Sequence, residues 1–289
     1  MRDKKWKWAL LFIITNVVLF ITFFVVPFVL GFYYSLTDSD GVRANFIGFT
    51  NYMELFQDPS FYRALSRTFT YVICLVPTIY VTSLAIAMLL VSPKAKGKVI
   101  TKIIFFLPWT VSGIVSGIIW RWLFGESFGF INYMIDQIGG EPVSWFTDGN
   151  MALMVVIVAA TWGATAFNML VFMGALKNIP KQYYEAASID GANRRQKFRF
   201  ITLPALAPTS FLVILLSTIG SMREFVMIQA LTNGGPGTEN VFIVQYIYNT
   251  GFERKRVGYA SAVSMVLFVL LLSIALIQFG FERRMRDNV

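Results

Sequence analysis

The run from Trp8 to Thr37 contains no charged side chain. A helix needs about 20 mostly apolar residues to cross the hydrocarbon core of a bilayer, and this run is long enough. Five more apolar stretches follow, so that candidate spans fall at roughly 9–35, 68–92, 103–124, 152–176, 205–229 and 259–280. In lipid every backbone polar group must be satisfied within its own segment, so each stretch must be a helix. The expected fold is an all-α integral membrane protein with six transmembrane helices. Composition agrees: 56% of residues are apolar and 14% charged, against about 45–50% and 25% in soluble domains. The start, MRDKKWKWALLF, resembles a signal peptide. The apolar run is too long for one and lacks a small-residue cleavage pattern, so it reads as a retained first span.

Lys and Arg set the orientation. Most of the 25 basic residues fall in four places: Arg2, Lys4, Lys5 and Lys7; Lys94, Lys96, Lys98 and Lys102; Lys177, Lys181, Arg194, Arg195, Lys197 and Arg199; and Arg283, Arg284 and Arg286. The positive-inside rule puts these segments, and both termini, in the cytoplasm. The loop at 125–150 has Glu126, Asp136, Glu141 and Asp148 and no Lys or Arg, as suits an external loop. The cluster Arg254, Lys255, Arg256 is an exception on the external side.

The charge of +9 is thus spent on topology rather than on nucleic acid. With no histidine and one cysteine, zinc chemistry, disulfides and His-based triads have no residues to work with. Cys74, in an apolar run, reads as a packing residue. Trp6, Trp8, Trp109, Trp120, Trp122 and Trp145 lie near span ends, where indoles anchor at the headgroup level. Ser112-Gly113 and Ser116-Gly117 put a small-residue stripe on one face of span 3, for close helix packing or for a groove that faces a solute.

The segment 177–208, KNIPKQYYEAASIDGANRRQKFRFITLPALAP, is the most informative. Pro180 can start a helix, Gly191 permits a sharp turn, and Asn193 to Phe200 can form a second short helix. Two short helices at an angle make a compact knob on the cytoplasmic face. Such a knob either docks in a groove of a soluble partner or connects two spans along the membrane surface.

The residues Glu185-Ala186-Ala187, then Gly191, then Ile201 and Leu203-Pro204 match without a gap the EAA loop of bacterial binding-protein-dependent ABC importer permeases, which this chain resembles. Leu107-Pro108-Trp109, Trp120 to Phe124, Trp162 and Leu231 to Gly237 are similar to the maltose and glycerol-phosphate branch of that family. The resemblance covers about residues 10–282. It implies a type I ABC importer permease fold with a cytoplasmic coupling helix. Residues 1–66 would be the N-terminal tail, first span and first external loop. Residues 67–282 would be the transmembrane core with coupling loop 177–204, and 283–289 a cytoplasmic tail. The resemblance also implies contact with the ATP-binding subunit through Glu185, Ala186, Ala187, Asp190 and Gly191. The other expected partners are a second homologous permease, two ATP-binding subunits, an extracytoplasmic solute-binding protein and a carbohydrate, in a bacterial cytoplasmic membrane. ATP and Mg²⁺ would be held by the partner ATPases, since the chain has no GxxxxGK[ST] loop.

Within the spans, Arg223 and Glu224 are adjacent on span 5 and ionisable, which makes them functional suspects. They either pair with other helices or line the solute cavity; Arg223 in the cavity would favour an acidic or phosphorylated solute. Sugars bind aromatic faces and hydrogen-bonding groups, so the candidate path is Trp109 and Gly113 on span 3, Trp162, Phe167 and Asn168 on span 4, and Ser221, Arg223 and Glu224 on span 5. A membrane enzyme would need placed metal ligands or paired acids. An ion-driven transporter would show a repeat of broken spans. An ABC permease for a non-sugar solute is the nearer alternative.

Overall fold

The computed structural model describes residues 2–92 and 97–287. Lys94 and Lys96 lie outside them, as do the side chains of Arg2, Lys4, Lys5, Lys7, Trp8, Lys98, Arg284 and Arg286. Among the described residues the regular structure is helical, apart from one isolated bridge between Thr37 and Phe46. The helices are α1 (Arg2–Phe20), α2 (Val26–Ser35), α3 (Thr50–Leu55), α4 (Pro59–Val91), α5 (Lys98–Thr110), α6 (Gly113–Leu123), α7 (Phe130–Gln137), α8 (Gly149–Asn178), α9 (Lys181–Ile189), α10 (Arg194–Lys197), α11 (Leu203–Ala205), α12 (Ala207–Met222), α13 (Val226–Leu231), α14 (Ile243–Tyr248) and α15 (Val257–Asp287). A π-helical turn, Ile21–Val25, joins α1 to α2. The chain divides into two units: Met1–Phe61 with Tyr246–Leu270, and Tyr62–Gln245 with Leu271–Val289.

Four stretches are continuous helices long and apolar enough to span a membrane: Leu10–Ser35, Pro59–Val91, Gly149–Asn178 and Val257–Arg283. The other two expected spans are bent pairs, which bring the number to six. The stretch 103–124 is not one straight helix: α5 and α6 meet at 103°. Pro108 weakens the last turn of α5. Val111 and Ser112 are extended, and the Ser112 hydroxyl accepts from the Val115 N–H as the cap of a new helix. The stretch 205–229 also departs from expectation. The helical run Arg194–Ala205 meets α12 at 67°, and α12 stops at Met222. After a three-residue break, α13 packs along α6.

In the first unit the Asn51 amide donates to the carbonyls of Ser35 and Thr37 and ties down the chain leaving α2. Arg256 pairs bidentately with Glu54 at 2.8 and 2.6 Å and lies 4.6 Å from the Tyr259 ring centroid. That pairing neutralises part of the Arg254–Arg256 basic cluster. The hydroxyls of Tyr246 and Tyr259 both donate to Asp58. Burial pushes the Asp58 carboxyl up, but the hydrogen bonds from Tyr246, the Ser60 N–H and Tyr259 outweigh it and hold the carboxyl below its usual value. Burial and the same carboxylate push the Tyr246 hydroxyl up to about 12.

In the second unit, Leu84 and Leu90 of α4, Met169 and Phe172 of α8, Leu206 and Val213 form a buried cluster. Interhelical hydrogen bonds sit beside it: Tyr80 to Ser210 at 3.0 Å and Thr82 to Thr165 at 2.9 Å. Pro77 interrupts the backbone ladder inside α4, and the hydroxyls of Thr78 and Thr82 bond back to the Cys74 and Thr78 carbonyls just there. Cys74, expected to pack, is exposed on α4 in this single chain. Trp145 is not an interfacial anchor: it is buried, its indole N–H donates to Asn132 at 2.8 Å, and Phe124 meets it edge-on.

Candidate functional site

Two sites emerge, both within the second unit. The first is the knob. Pro180, with φ −60° and ψ 131°, lies just ahead of α9. The helix ends where the Gly191 N–H donates to the Ser188 carbonyl at 3.2 Å and the Ala192 N–H donates to the Ala187 carbonyl at 2.8 Å. This paired closure needs a left-handed residue at the turn, and Gly191 has φ +79°. Asn193 then caps α10 reciprocally: its side chain accepts from the Gln196 N–H, and its own N–H donates to the Gln196 side chain. Lys197 Nζ donates to Ser188 Oγ at 2.6 Å, linking the two helices. Tyr184 packs on the buried cluster, and its hydroxyl lies 2.9 Å from that of Thr202. The knob is therefore rooted in the helical core.

Its outer face is open. Glu185, Ala186, Asp190 and Gly191 are exposed, and Ala187 is half-buried. A Cβ on Gly191 would meet nothing within 4 Å. Two apolar side chains that sequence reasoning did not single out share this surface: Tyr183 is 58% and Ile189 87% exposed. Their position on a polar, amphipathic nine-residue helix was the available signal. The second helix does not stop near Phe200. It runs through a π-helical turn, Phe198–Thr202, to Ala205.

The second site is a cavity of about 370 Å³ among α4, the α5–α6 bend, α8 and α12. Space for it comes from Ala159, Ala160, Gly163 and Ala164 on α8 and Gly220 on α12. Of the eight path candidates, Trp109, Gly113, Phe167, Asn168, Ser221 and Glu224 line it. Trp109 stacks on Phe167, with ring centroids 5.6 Å apart and planes inclined by 22°. The Asn168 amide N–H donates to the Ala164 carbonyl at 2.9 Å. Tyr71, Ser116 and Ser217 complete the polar lining; their spacing on separate helices left no sequence signal that they converge.

Trp162 and Arg223 are not in the lining. Trp162 packs edge-on against Trp120, 5.9 Å between centroids. Arg223 and Glu224 do not sit on a continuous span-5 helix. Arg223, with φ −105° and ψ 3°, ends α12, and the pair occupies the break before α13. Arg223 is exposed. Glu224 Oε1 accepts from the Met227 N–H at 3.2 Å. The stripe on α6 divides between a cavity and a close helix contact. Gly113 and Ser116 reach the cavity, while Gly117 lies so close to α13 that a Cβ there would come 2.7 Å from Ala230 Cβ and 2.8 Å from the Met227 carbonyl oxygen.

A polar clasp ties the ends of helices in the same unit. The buried Asn240 side chain donates to the carbonyls of Gly149 and Gly235 and accepts from Arg67 Nε at 2.8 Å. Arg67 also donates to the Asn150 side chain and to the Gly149 carbonyl. The clasp joins α4, the start of α8 and the Gly-rich turn after α13.

Residues 44–287 match the family described as binding-protein-dependent transport system inner membrane component. The arabinooligosaccharides transport system permease protein AraP of Bacillus subtilis (strain 168) is 34% identical, over 92% of this chain and 86% of AraP. The sn-glycerol-3-phosphate transport system permease protein UgpA of Agrobacterium fabrum is 32% identical, over 95% of this chain and 94% of UgpA. A chain in the crystal structure of a bacterial ABC transporter for import of the acidic polysaccharide alginate superposes with a TM-score of 0.86, covering 98% of both chains at 25% identity. With six apolar stretches, a knob built on the Glu-Ala-Ala sequence and a match over most of its length, this chain belongs to the family of inner membrane components of binding-protein-dependent transport systems.

Proposed function

We propose that this chain is one permease subunit of an ATP-driven importer of carbohydrate in a bacterial cytoplasmic membrane, with both termini in the cytoplasm. A second, related permease completes the pathway, two ATP-binding subunits hold ATP and Mg²⁺, and an extracytoplasmic binding protein delivers the solute. The observation that carries this reading is the knob. It is rooted through Tyr184 and the Ser188–Lys197 link, yet presents Glu185, Ala186, Asp190, Tyr183 and Ile189 outward, exposed among the described residues. The small Ala186 permits close approach of a partner surface, Tyr183 and Ile189 supply apolar area, and Glu185 and Asp190 accept from basic groups. Closure of the ATP-binding subunits moves the knob as a rigid body, and the spans exchange inward and outward access. The cavity, with a stacked aromatic pair and convergent hydroxyl, amide and carboxylate groups, is the solute path. The substrates for which the relatives are named support a carbohydrate or polyol phosphate as its occupant.

Replacing Ala186 by Trp in the complete transporter tests the docking. The variant subunit is expected to insert at normal level but to lose co-purification of the ATP-binding subunit and solute-stimulated ATP hydrolysis. Normal co-purification and normal stimulation would show that this face is not the dock.

A further inference from the structure

We propose that Glu224 makes this importer select uncharged carbohydrate and exclude anionic carbohydrate. The inference rests on the reading of the cavity as the solute path. Among the described residues, Glu224 is the single charged one in the lining. The turn after α12 separates it from Arg223, which is exposed and outside the lining, so the neighbouring guanidinium that would favour a carboxylate or phosphate does not line this cavity. Among the described residues Glu224 forms no ion pair. Its Oε1 is held by the Met227 N–H, which fixes the carboxylate, and Oε2 has no donor among the described residues.

A carboxylate in that setting asks its ligand for a hydrogen-bond donor. Sugar hydroxyls supply donors, and a hydrogen bond to an ionised acceptor is stronger than one between neutral groups. Uronate, phosphate and sulfonate groups bring a second negative charge instead, and two like charges a few ångströms apart repel strongly where water is scarce. Trp109, Phe167, Asn168 and Ser221 are the other main contacts on offer, and none carries a positive charge to offset that repulsion. Relatedness does not settle the question. The chain is about equally similar to a permease named for arabinooligosaccharides and to one named for sn-glycerol-3-phosphate, and its fold matches a transporter of an acidic polysaccharide. The charge of the lining does discriminate.

The test is uptake by the complete transporter in proteoliposomes with internal ATP. One panel contains neutral oligosaccharides (lactose, maltotriose, arabinotriose). The other contains anions (trigalacturonate, glycerol 3-phosphate), each also used as competitor. Uptake of the best neutral solute is expected to exceed that of either anion at least ten-fold. Glu224→Gln should bring the ratio within about three-fold. Ser217→Lys, which adds a cation to the same cavity without altering residue 224, should shift the ratio the same way. If the wild type takes up an anion as fast as the best neutral sugar, charge selection is overturned while carbohydrate import stands. An unchanged ratio in both variants, with transport intact, has the same meaning. If no carbohydrate of either panel enters although ATP hydrolysis is intact, the import reading falls and this inference with it.

Discussion

Gly191 and Gly117 are needed for opposite reasons. Gly191 has open space around it but a backbone at φ +79°, which costs a side-chain-bearing residue about 1–2 kcal/mol. Gly117 has ordinary helical geometry but no space, because the Met227 carbonyl and Ala230 on α13 stand where a Cβ would go. Gly117→Ala should therefore destabilise the purified complex by about 1–3 kcal/mol, read as a lower melting temperature in detergent. Gly174→Ala, in a helical position with nothing within 4 Å, should leave the melting temperature unchanged or raise it. Equal effects at the two positions would show that α6 and α13 do not approach this closely. The knob was legible residue by residue because Pro180, Gly191 and Asn193 act locally, each through its own backbone geometry. The positions of Arg223 and Glu224 were not, because they depend on where α12 stops. An apolar run carries no mark of the break that sends one side chain into the cavity and the other away from it.

At the scale of elements, the two bent pairs mattered more than the four continuous spans. Hydrophobic length gave the six stretches. The 103° bend is set by Val111 and Ser112, which take up extended backbone within an otherwise apolar run just after Pro108. The clasp was equally hidden, since Arg67, Gly149 and Asn240 are far apart in sequence. Asn240→Ala would leave the Gly149 and Gly235 carbonyls and Arg67 Nε short of a partner, and should cost about 1–3 kcal/mol of thermal stability; an unchanged melting temperature would show the clasp to be idle. In the other unit, Asp58 is held below the ordinary carboxyl value of 3.8. Its hydrogen bonds thus stabilise the fold at pH above that value, and the contribution is lost as pH falls through the folded-state value. Melting temperature measured from pH 7 down to 3 should drop more steeply in the wild type than in Asp58→Asn. Parallel curves would show that the Asp58 hydrogen bonds do not stabilise the fold.

For the molecule as a whole, an exposed knob at one end of α8 and α12 and a cavity along the same helices are joined by the buried cluster of Phe172, Leu206 and Val213. Interiors are dense and yield little, so packed helices transmit strain; in the proposed coupling, a push on the knob would reach the cavity walls. In the proposed function the knob couples ATP hydrolysis to carbohydrate movement. The most direct test is ATP-dependent uptake of radiolabelled oligosaccharide by the complete transporter carrying Gly191→Asn or Gly191→Val, with membrane levels checked by immunoblot. Asparagine tolerates the left-handed turn and a β-branched residue does not. Gly191→Asn is expected to retain most uptake, while Gly191→Val, inserted at normal level, loses at least ten-fold. Full uptake by a normally inserted Gly191→Val subunit would contradict that coupling.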